Sequence, residues 1–313
     1  MKRFLVLGIC LLMATSAFAQ QQFITIATGG TAGTYFPLGG ALADIWNKNI
    51  PKMNATAQAT GASIANINLL KGGNVDVIFT QNDVASYSYN GTELLKDQAY
   101  KDLRGMACLY NETIQLVALE SSGIKTITDL KGKKVSVGAA GSGTEANARQ
   151  ILESAGLTYN DIKVQYLSFG ESASNMKDGN IDAAFNTAGI PTAAIQDLAV
   201  SKKMVLVPID GQVATKLMAK YPFYALQIVP AGTYQGQNQN VTTVAVKSML
   251  AVSSKLSADL VYKMLETMYA NTDRLIAAHS QGKNIKIESA LEGMSIPLHS
   301  GAEKYFKEKG VLK

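Results

Sequence analysis

The chain of 313 residues is poor in the side chains that carry out chemistry, with two histidines, two cysteines and one tryptophan. Cys10 lies in the apolar run near the start, so Cys108 stands alone downstream and has no partner for an intrachain disulfide. It reads as a small buried hydrophobe. His279 and His299 both fall in the C-terminal segment, and neither has a metal-ligand partner at useful spacing. No Gly-x-Ser-x-Gly elbow occurs and Cys108 has no recognisable base, which leaves nucleophilic catalysis without a candidate. A carboxylate pair is the one catalytic arrangement that spacing does not address. The expectation is a protein that is not an enzyme and needs no metal or cofactor.

Long apolar runs and clustered cations are missing too. Past residue 19 no stretch reaches the roughly 18 to 20 uninterrupted apolar residues of a membrane span. Before it, Lys2-Arg3, the apolar run Phe4 to Met13 and the small-residue end Ala17-Phe18-Ala19 have the form of a secretory signal, which predicts a signal peptide over 1–19 and a periplasmic protein. Ile9 before Cys10 argues against a lipoprotein acylation site. Without Lys2 and Arg3, the 29 basic residues become 27 against 24 acidic ones, a net charge of about +3 with no basic stripe. Nucleic acid and membrane-surface binding lose support on that ground.

What is present is one device used twice. Gly29-Gly30-Thr31-Ala32-Gly33-Thr34-Tyr35 and Gly138-Ala139-Ala140-Gly141-Ser142-Gly143-Thr144 each leave a β-branched run and open a helical pattern. A strand that ends in glycines and runs into a helix N-terminus presents free backbone N–H groups and a positive dipole end, which suits a small anion. Each loop is followed by a helix end, a Gly-Asn turn and a short apolar strand: Gly73-Asn74 then Val75 to Phe79, and Gly179-Asn180 then Ile181 to Phe185. Neither loop ends in the Lys-Ser/Thr of a P-loop or fits the dinucleotide fingerprint, so a nucleotide is not expected.

Each unit reads as parallel strands joined by helices, and ligands sit at the carboxyl ends of such strands. The predicted fold is α/β with two lobes, a type II-like periplasmic binding protein fold with the ligand cleft between them. Four loops, 29–35, 80–84, 138–144 and 186–190, are expected to face that cleft. The β-rich runs Thr113 to Leu119 and Tyr224 to Val229 are the expected crossing segments, giving one lobe of 23–112 plus 230–313 and another of 113–229. Apolar stripes predict helices after each loop, over Leu260 to Tyr269, and around Ala302 to Lys309.

The candidate ligand-binding residues follow from those loops: Gly30, Gly33, Thr34 and Tyr35, then Gly141, Ser142, Gly143 and Thr144, with Ser142 and Glu145 at capping-box spacing. Ser63 and Asn66 stand at a further helix start. Gln81, Asp83, Thr187 and Gly189 stand at strand ends, and Phe185 is a candidate apolar wall. Asp83 either receives a ligand ammonium or caps the following helix. Arg149, more than a turn beyond Thr144, is expected to form a structural ion pair.

The stretch Ala27 to Pro37 resembles the opening signature of the TAXI solute receptors, the extracytoplasmic binding proteins of one branch of tripartite ATP-independent periplasmic (TRAP) transporters. Further matches follow in order at Thr80 to Ala85, Asp129 to Val135, Gly141 to Asn147 and Pro297 to Ala302, so that the resemblance spans the mature chain. It implies a receptor, expected to be a monomer, that closes on a small acidic solute such as a glutamate-like amino acid or a dicarboxylate. The solute would pass to a membrane permease, in this branch often with fused subunits, driven by an ion gradient. The competing class is a sensory or antigenic periplasmic protein on the same scaffold, without a transport role.

Overall fold

The computed structural model describes residues 21–312, so the expected signal peptide over 1–19 lies outside the described residues. The first half runs β1 (Gln22–Ala27), α1 (Tyr35–Asn49), β2 (Met53–Gln58), α2 (Ser63–Lys71), β3 (Val77–Gln81), α3 (Asn82–Asn90) and the long β4 (Leu103–Leu119). Next come β5 (Lys134–Ser136), α4 (Gly143–Ser154), β6 (Lys163–Gln165), α5 (Phe169–Lys177), β7 (Ala183–Ala188), α6 (Ala193–Ser201), β8 (Met204–Val207), α7 (Gly211–Lys220) and β9 (Ala225–Val229). The chain returns through β10 (Val241–Ser253) and ends with α8 (Ala258–Ala270), α9 (Thr272–Ala278) and α10 (Ser300–Glu308).

The sheet holds the same strand order twice. In one half it runs β2-β1-β3-β10-β4, with β1 parallel to β2 and β3 and with β10 antiparallel to its neighbours. In the other it runs β6-β5-β7-β4-β8, with β5 parallel to β6 and β7 and with β4 antiparallel. The repeat seen in the Gly-rich loops and Gly-Asn turns is therefore an architectural one. Each parallel strand feeds a helix that packs back onto the sheet, which leaves the loops after β1, β3, β5 and β7 on the carboxyl edge.

Two strands belong to both halves. β4 pairs with β10 through Thr113 and with β7 from Thr113 onward; β10 pairs with β9 over 241–245 and with β3 over 248–252. The first crossing thus falls at the start of the expected segment, but the second does not lie in 224–229. Those residues form β9, an edge strand against β10, and the return is made by β10 itself. Val244 and Val246 pack with Ile114, Phe185 and Val207, while Tyr234 and Val241 pack with Val117 and Leu198. Residues 230–246 accordingly go with the second lobe, and the boundary drawn at 229–230 comes too early.

The first lobe's core has Trp46 of α1, Phe79 of β3, Met264 of α8 and Phe306 of α10 fully or almost fully buried. Leu260, Val261, Met264, Leu265 and Met268 give α8 the apolar stripe its sequence predicts, and α10 lies against it with Tyr305 and Phe306 inward. Among the described residues no helix is long and apolar enough to cross a membrane.

Candidate functional site

The loops expected to converge enclose a cavity of about 60 Å³ between the two lobes. That volume takes about four to six waters, the size class of a small polar solute. Four helices begin on its wall: α1 at Thr34 and Tyr35, α2 at Ala62 and Ser63, α4 at Ser142 to Thr144, and α5 at Ser168 and Phe169. The first turn of a helix leaves N–H groups without carbonyl partners, so this wall is rich in donors and in positive dipole ends. Among the described residues lining it there is no Lys or Arg, and Glu112 supplies the sole carboxyl group.

Capping chemistry fixes two of these helix starts. Ser142 Oγ accepts the Glu145 N–H at 3.1 Å, the predicted cap, although the Glu145 carboxylate turns outward to Arg149 at 2.5 Å instead of closing a reciprocal box. Arg149 is thus in the structural ion pair expected of it. At α5 the box is complete: Ser168 Oγ accepts from Glu171 N, and the Glu171 carboxylate accepts the Ser168 N–H at 2.8 Å.

Of the candidate residues, Gly30, Gly33, Thr34, Tyr35, Ser63, Gln81, Ser142, Gly143, Thr144 and Thr187 line the cavity. Five do not. Asn66 is fully buried, and its Nδ2 donates to Thr28 O at 2.6 Å and Phe79 O at 2.8 Å, tying the ends of β1 and β3 together. Gly141 turns its carbonyl, not its N–H, to the cleft: it accepts from Ile64 N and Ala65 N, both at 3.1 Å, and so caps α2 of the other lobe. Phe185 points into the second lobe's core. Gly189 holds Thr34, whose Oγ1 accepts the Gly189 N–H at 3.1 Å across the lobes. Asp83, in the first turn of α3, accepts from Val84 N at 2.8 Å and from Asn147 Nδ2 at 3.0 Å.

Behind the cavity wall these contacts extend into a buried network between the lobes. Asn147 of α4, fully buried, accepts from Gln81 Nε2 and from Thr187 Oγ1, each at 3.0 Å, and donates to Asp83 and, at 2.8 Å, to Tyr224. Tyr224 donates to Gln150 Oε1 at 2.6 Å, and Gln150 reaches back to Tyr87 OH at 3.0 Å. Burial pushes the Asp83 carboxyl up to about 6, against the pull of its hydrogen bonds.

Glu112 escaped the sequence reading. It is 2 % exposed and stands where β4 passes from one lobe to the other, and its Oε2 accepts the Tyr35 hydroxyl at 2.5 Å. Desolvation pushes its carboxyl up to about 8, opposed by the Tyr35 hydrogen bond. The available signal was one acid within the β-rich stretch Leu109 to Leu119. Thr60 to Ala62 and Ser168 also line the cavity unforeseen; the Ser168-x-x-Glu171 spacing was the legible sign of the latter. Cys108, 2 % exposed, is the buried small residue expected, its thiol pushed up to about 12 by burial.

A family model described as the NMT1-like family matches residues 26–310. The chain belongs to the NMT1-like family. A 121-residue stretch is 33% identical to the putative aliphatic sulfonates-binding protein of Escherichia coli (strain K12), over 39% of this chain and 33% of that protein. The chain thus spans about a third of the length of that curated relative. Among solved structures, the alkanesulfonate-binding protein SsuA from Xanthomonas axonopodis pv. citri, bound to MOPS, aligns with a TM-score of 0.53 at 14% identity, covering 91% of this chain and 83% of that one. A protein from Bordetella bronchiseptica RB50 aligns at 0.55 with 15% identity, covering 92% and 98%. A putative L-cystine ABC transporter protein from Listeria monocytogenes aligns at 0.52 with 19% identity, covering 85% and 98%. The fold of this NMT1-like chain is that of the two-lobed periplasmic solute-binding proteins, with the cleft between the lobes.

Proposed function

We propose that this protein is a periplasmic solute receptor that closes its two lobes on a small acidic solute and presents it to a membrane permease. The observation that carries the reading is a solute-sized cavity lined by the starts of α1, α2, α4 and α5. Backbone N–H groups and neutral hydroxyls hold the acidic group there, in a wall whose described residues include no Lys or Arg. Thr34 to Gly189, Gly141 to α2, and Gln81 and Asp83 to Asn147 join the lobes around it, and these contacts distinguish a closed receptor from an open one.

The permease we infer is of the TRAP type, on the strength of the Ala27 to Pro37 and Gly141 to Asn147 matches. A second reading, delivery to an ATP-driven permease, is favoured by the name of the L-cystine ABC transporter relative. Native mass spectrometry of the purified protein identifies a retained solute; uptake into proteoliposomes carrying the cognate permease then distinguishes the energy source. Uptake that follows an imposed ion gradient without ATP supports the TRAP reading, and strict ATP dependence refutes it. Tight binding confined to sugars or to cations would refute the acidic-solute reading, and chemical turnover of the bound solute would refute the receptor reading.

A further inference from the structure

We infer that Glu112 and Gln81 form an acceptor wall that selects, among acidic solutes, those with a hydrogen-bond donor, an amine above all, beside the acidic group. The inference rests on the reading of the cavity as a receptor site for an acidic solute.

Both side chains line the cavity and both are 2 % exposed. Among the described residues Gln81 Oε1 is buried without a hydrogen-bond partner, an arrangement that costs free energy unless a donor arrives. The donors of this wall are engaged within it: Gln81 Nε2 donates to Asn147 Oδ1 at 3.0 Å and also pulls on the Glu112 carboxyl, and the Tyr35 hydroxyl is on Glu112 Oε2 at 2.5 Å. A solute group on this side therefore meets the Gln81 Oε1 acceptor and the Glu112 carboxyl, which accepts once its proton has left. The donor wall lies immediately beside it, because Gly143 at the start of α4 fits against Gln81 so closely that a Cβ there would overlap the amide. Donors and acceptors thus adjoin, which matches an acidic group and an amine separated by one or two carbons. A dicarboxylate has no donor for Gln81 Oε1, and any second carboxylate turned this way would be held only while Glu112 keeps its proton.

The groups around Glu112 fix the sign of the pH dependence. Tyr35 on α1 and Tyr110 on β4 itself have hydroxyls raised well above their ordinary value by burial and stay protonated. Asp83 at the start of α3 adds a like charge. Ser248 contributes a hydroxyl from β10, whereas the neighbouring Lys247 is engaged by Glu292 at 3.6 Å. At neutral pH the carboxyl, pushed up to about 8, keeps its proton. An arriving ammonium displaces that proton to solvent, so binding of an amine tightens from about pH 6 to about pH 8. A carboxylate in the same place would use the Glu112 proton and weaken over that interval.

The test is isothermal titration of the stripped protein at pH 6, 7 and 8 with matched pairs: L-glutamate and glutarate, L-aspartate and succinate, L-alanine and propionate, taurine and ethanesulfonate. In the pairs that bind, the amine-bearing member is expected to bind at least about 10-fold tighter and to gain affinity with pH. Glu112→Gln should remove the pH slope and most of the preference; Gln81→Met should narrow the preference and leave the slope, which keeps the test open if one variant fails to fold. Acids that bind equally well without the amine, or an affinity that falls with pH, overturn the inference and leave the receptor reading standing. Binding of sugars or cations in place of any of these acids overturns both.

Discussion

Asn147→Ala should weaken solute binding by about two orders of magnitude while leaving the ligand-free protein folded. Asn147 meets the other lobe through two hydrogen bonds, from Gln81 Nε2 and to Asp83 Oδ2, each at 3.0 Å. Truncation strands a buried amide N–H and a buried carboxyl oxygen, at about 1–3 kcal/mol for each unmet group. Loss of the Asn147 donor also lets the Asp83 carboxyl rise further from about 6, so that it is more often neutral at pH 7, which favours the low end. About 3 kcal/mol is roughly a 10²-fold change in the closing equilibrium, and apparent affinity falls in proportion. In the open form water satisfies the stranded groups, so the fold itself loses only the contacts to Thr187 and Tyr224 within the second lobe, about 1 kcal/mol each. The assay pairs titration of the tightest binder in the matched panel with the thermal midpoint of the ligand-free protein. Tyr224→Phe is the control: it removes the 2.6 Å bond to Gln150 and the 2.8 Å bond from Asn147, both inside the same lobe, and should lower the midpoint more than the affinity. If Asn147→Ala lowers the midpoint by many degrees and leaves the affinity unchanged, the network is part of the fold and not a latch between lobes.

Stability should fall as pH rises from about 4 to about 8. Asp83 and Glu112 are held protonated in the fold, up to about 6 and about 8, while the unfolded chain releases those protons near the ordinary carboxylate range. The native state then binds more protons, and each group costs up to about 1.4 kcal/mol per pH unit inside its own window. Urea unfolding should show this decline, and Glu112→Gln should flatten it between about pH 6 and 8; an unchanged slope refutes the assignment. The caps Asp129 and Asp161, lowered by hydrogen bonds from Lys125 and Thr126 and from Thr158 respectively, act oppositely and lose their contribution only as pH drops below about 4. Gly143→Ala should weaken solute binding more than 10-fold, because the added Cβ would overlap the buried Gln81 amide and wedge it off its place; unimpaired binding would show that Gln81 does not need that position. Cys108 should resist a thiol reagent at pH 8 until denaturant is added, and rapid native labelling would contradict its burial.

Local chemistry made much of this legible. Glycines at strand ends, the Ser142 cap and the Gly-Asn turns act over a few residues, and they announced the repeated units and the loops that meet in the cleft. What escaped depends on distant partners. Glu112 gains its role from Tyr35, 77 positions away, and from the change of lobe within β4. The runs 224–229 and 241–253 are both β-rich, and only their pairing reveals that the second carries the chain back. At Gly141 the residue type was a good guide to a tight turn, with φ at +74°, but not to which backbone group faces the other lobe.

On the receptor reading proposed above, the shared strands suit an acid at Glu112 to reading a solute. In each half the position beside the third parallel strand is filled by a crossing strand, β10 in one and β4 in the other, so the lobes join at 112–113 and 245–248. Contacts away from that junction would separate as the lobes open, among them Gly141 to α2. Glu112 lies at the junction and Tyr35, its partner, belongs to one lobe with it, so on that reading this pair survives opening, whereas Gln81 gives up its bond to Asn147. A solute entering the open receptor would meet Glu112 and Tyr35 before α4 and α5 bring their N–H groups from the other lobe, and Gln81 would present Oε1 alone only once closure restores its bond to Asn147. Discrimination by Glu112 would then precede closure, and that by Gln81 would accompany the latch through Asn147.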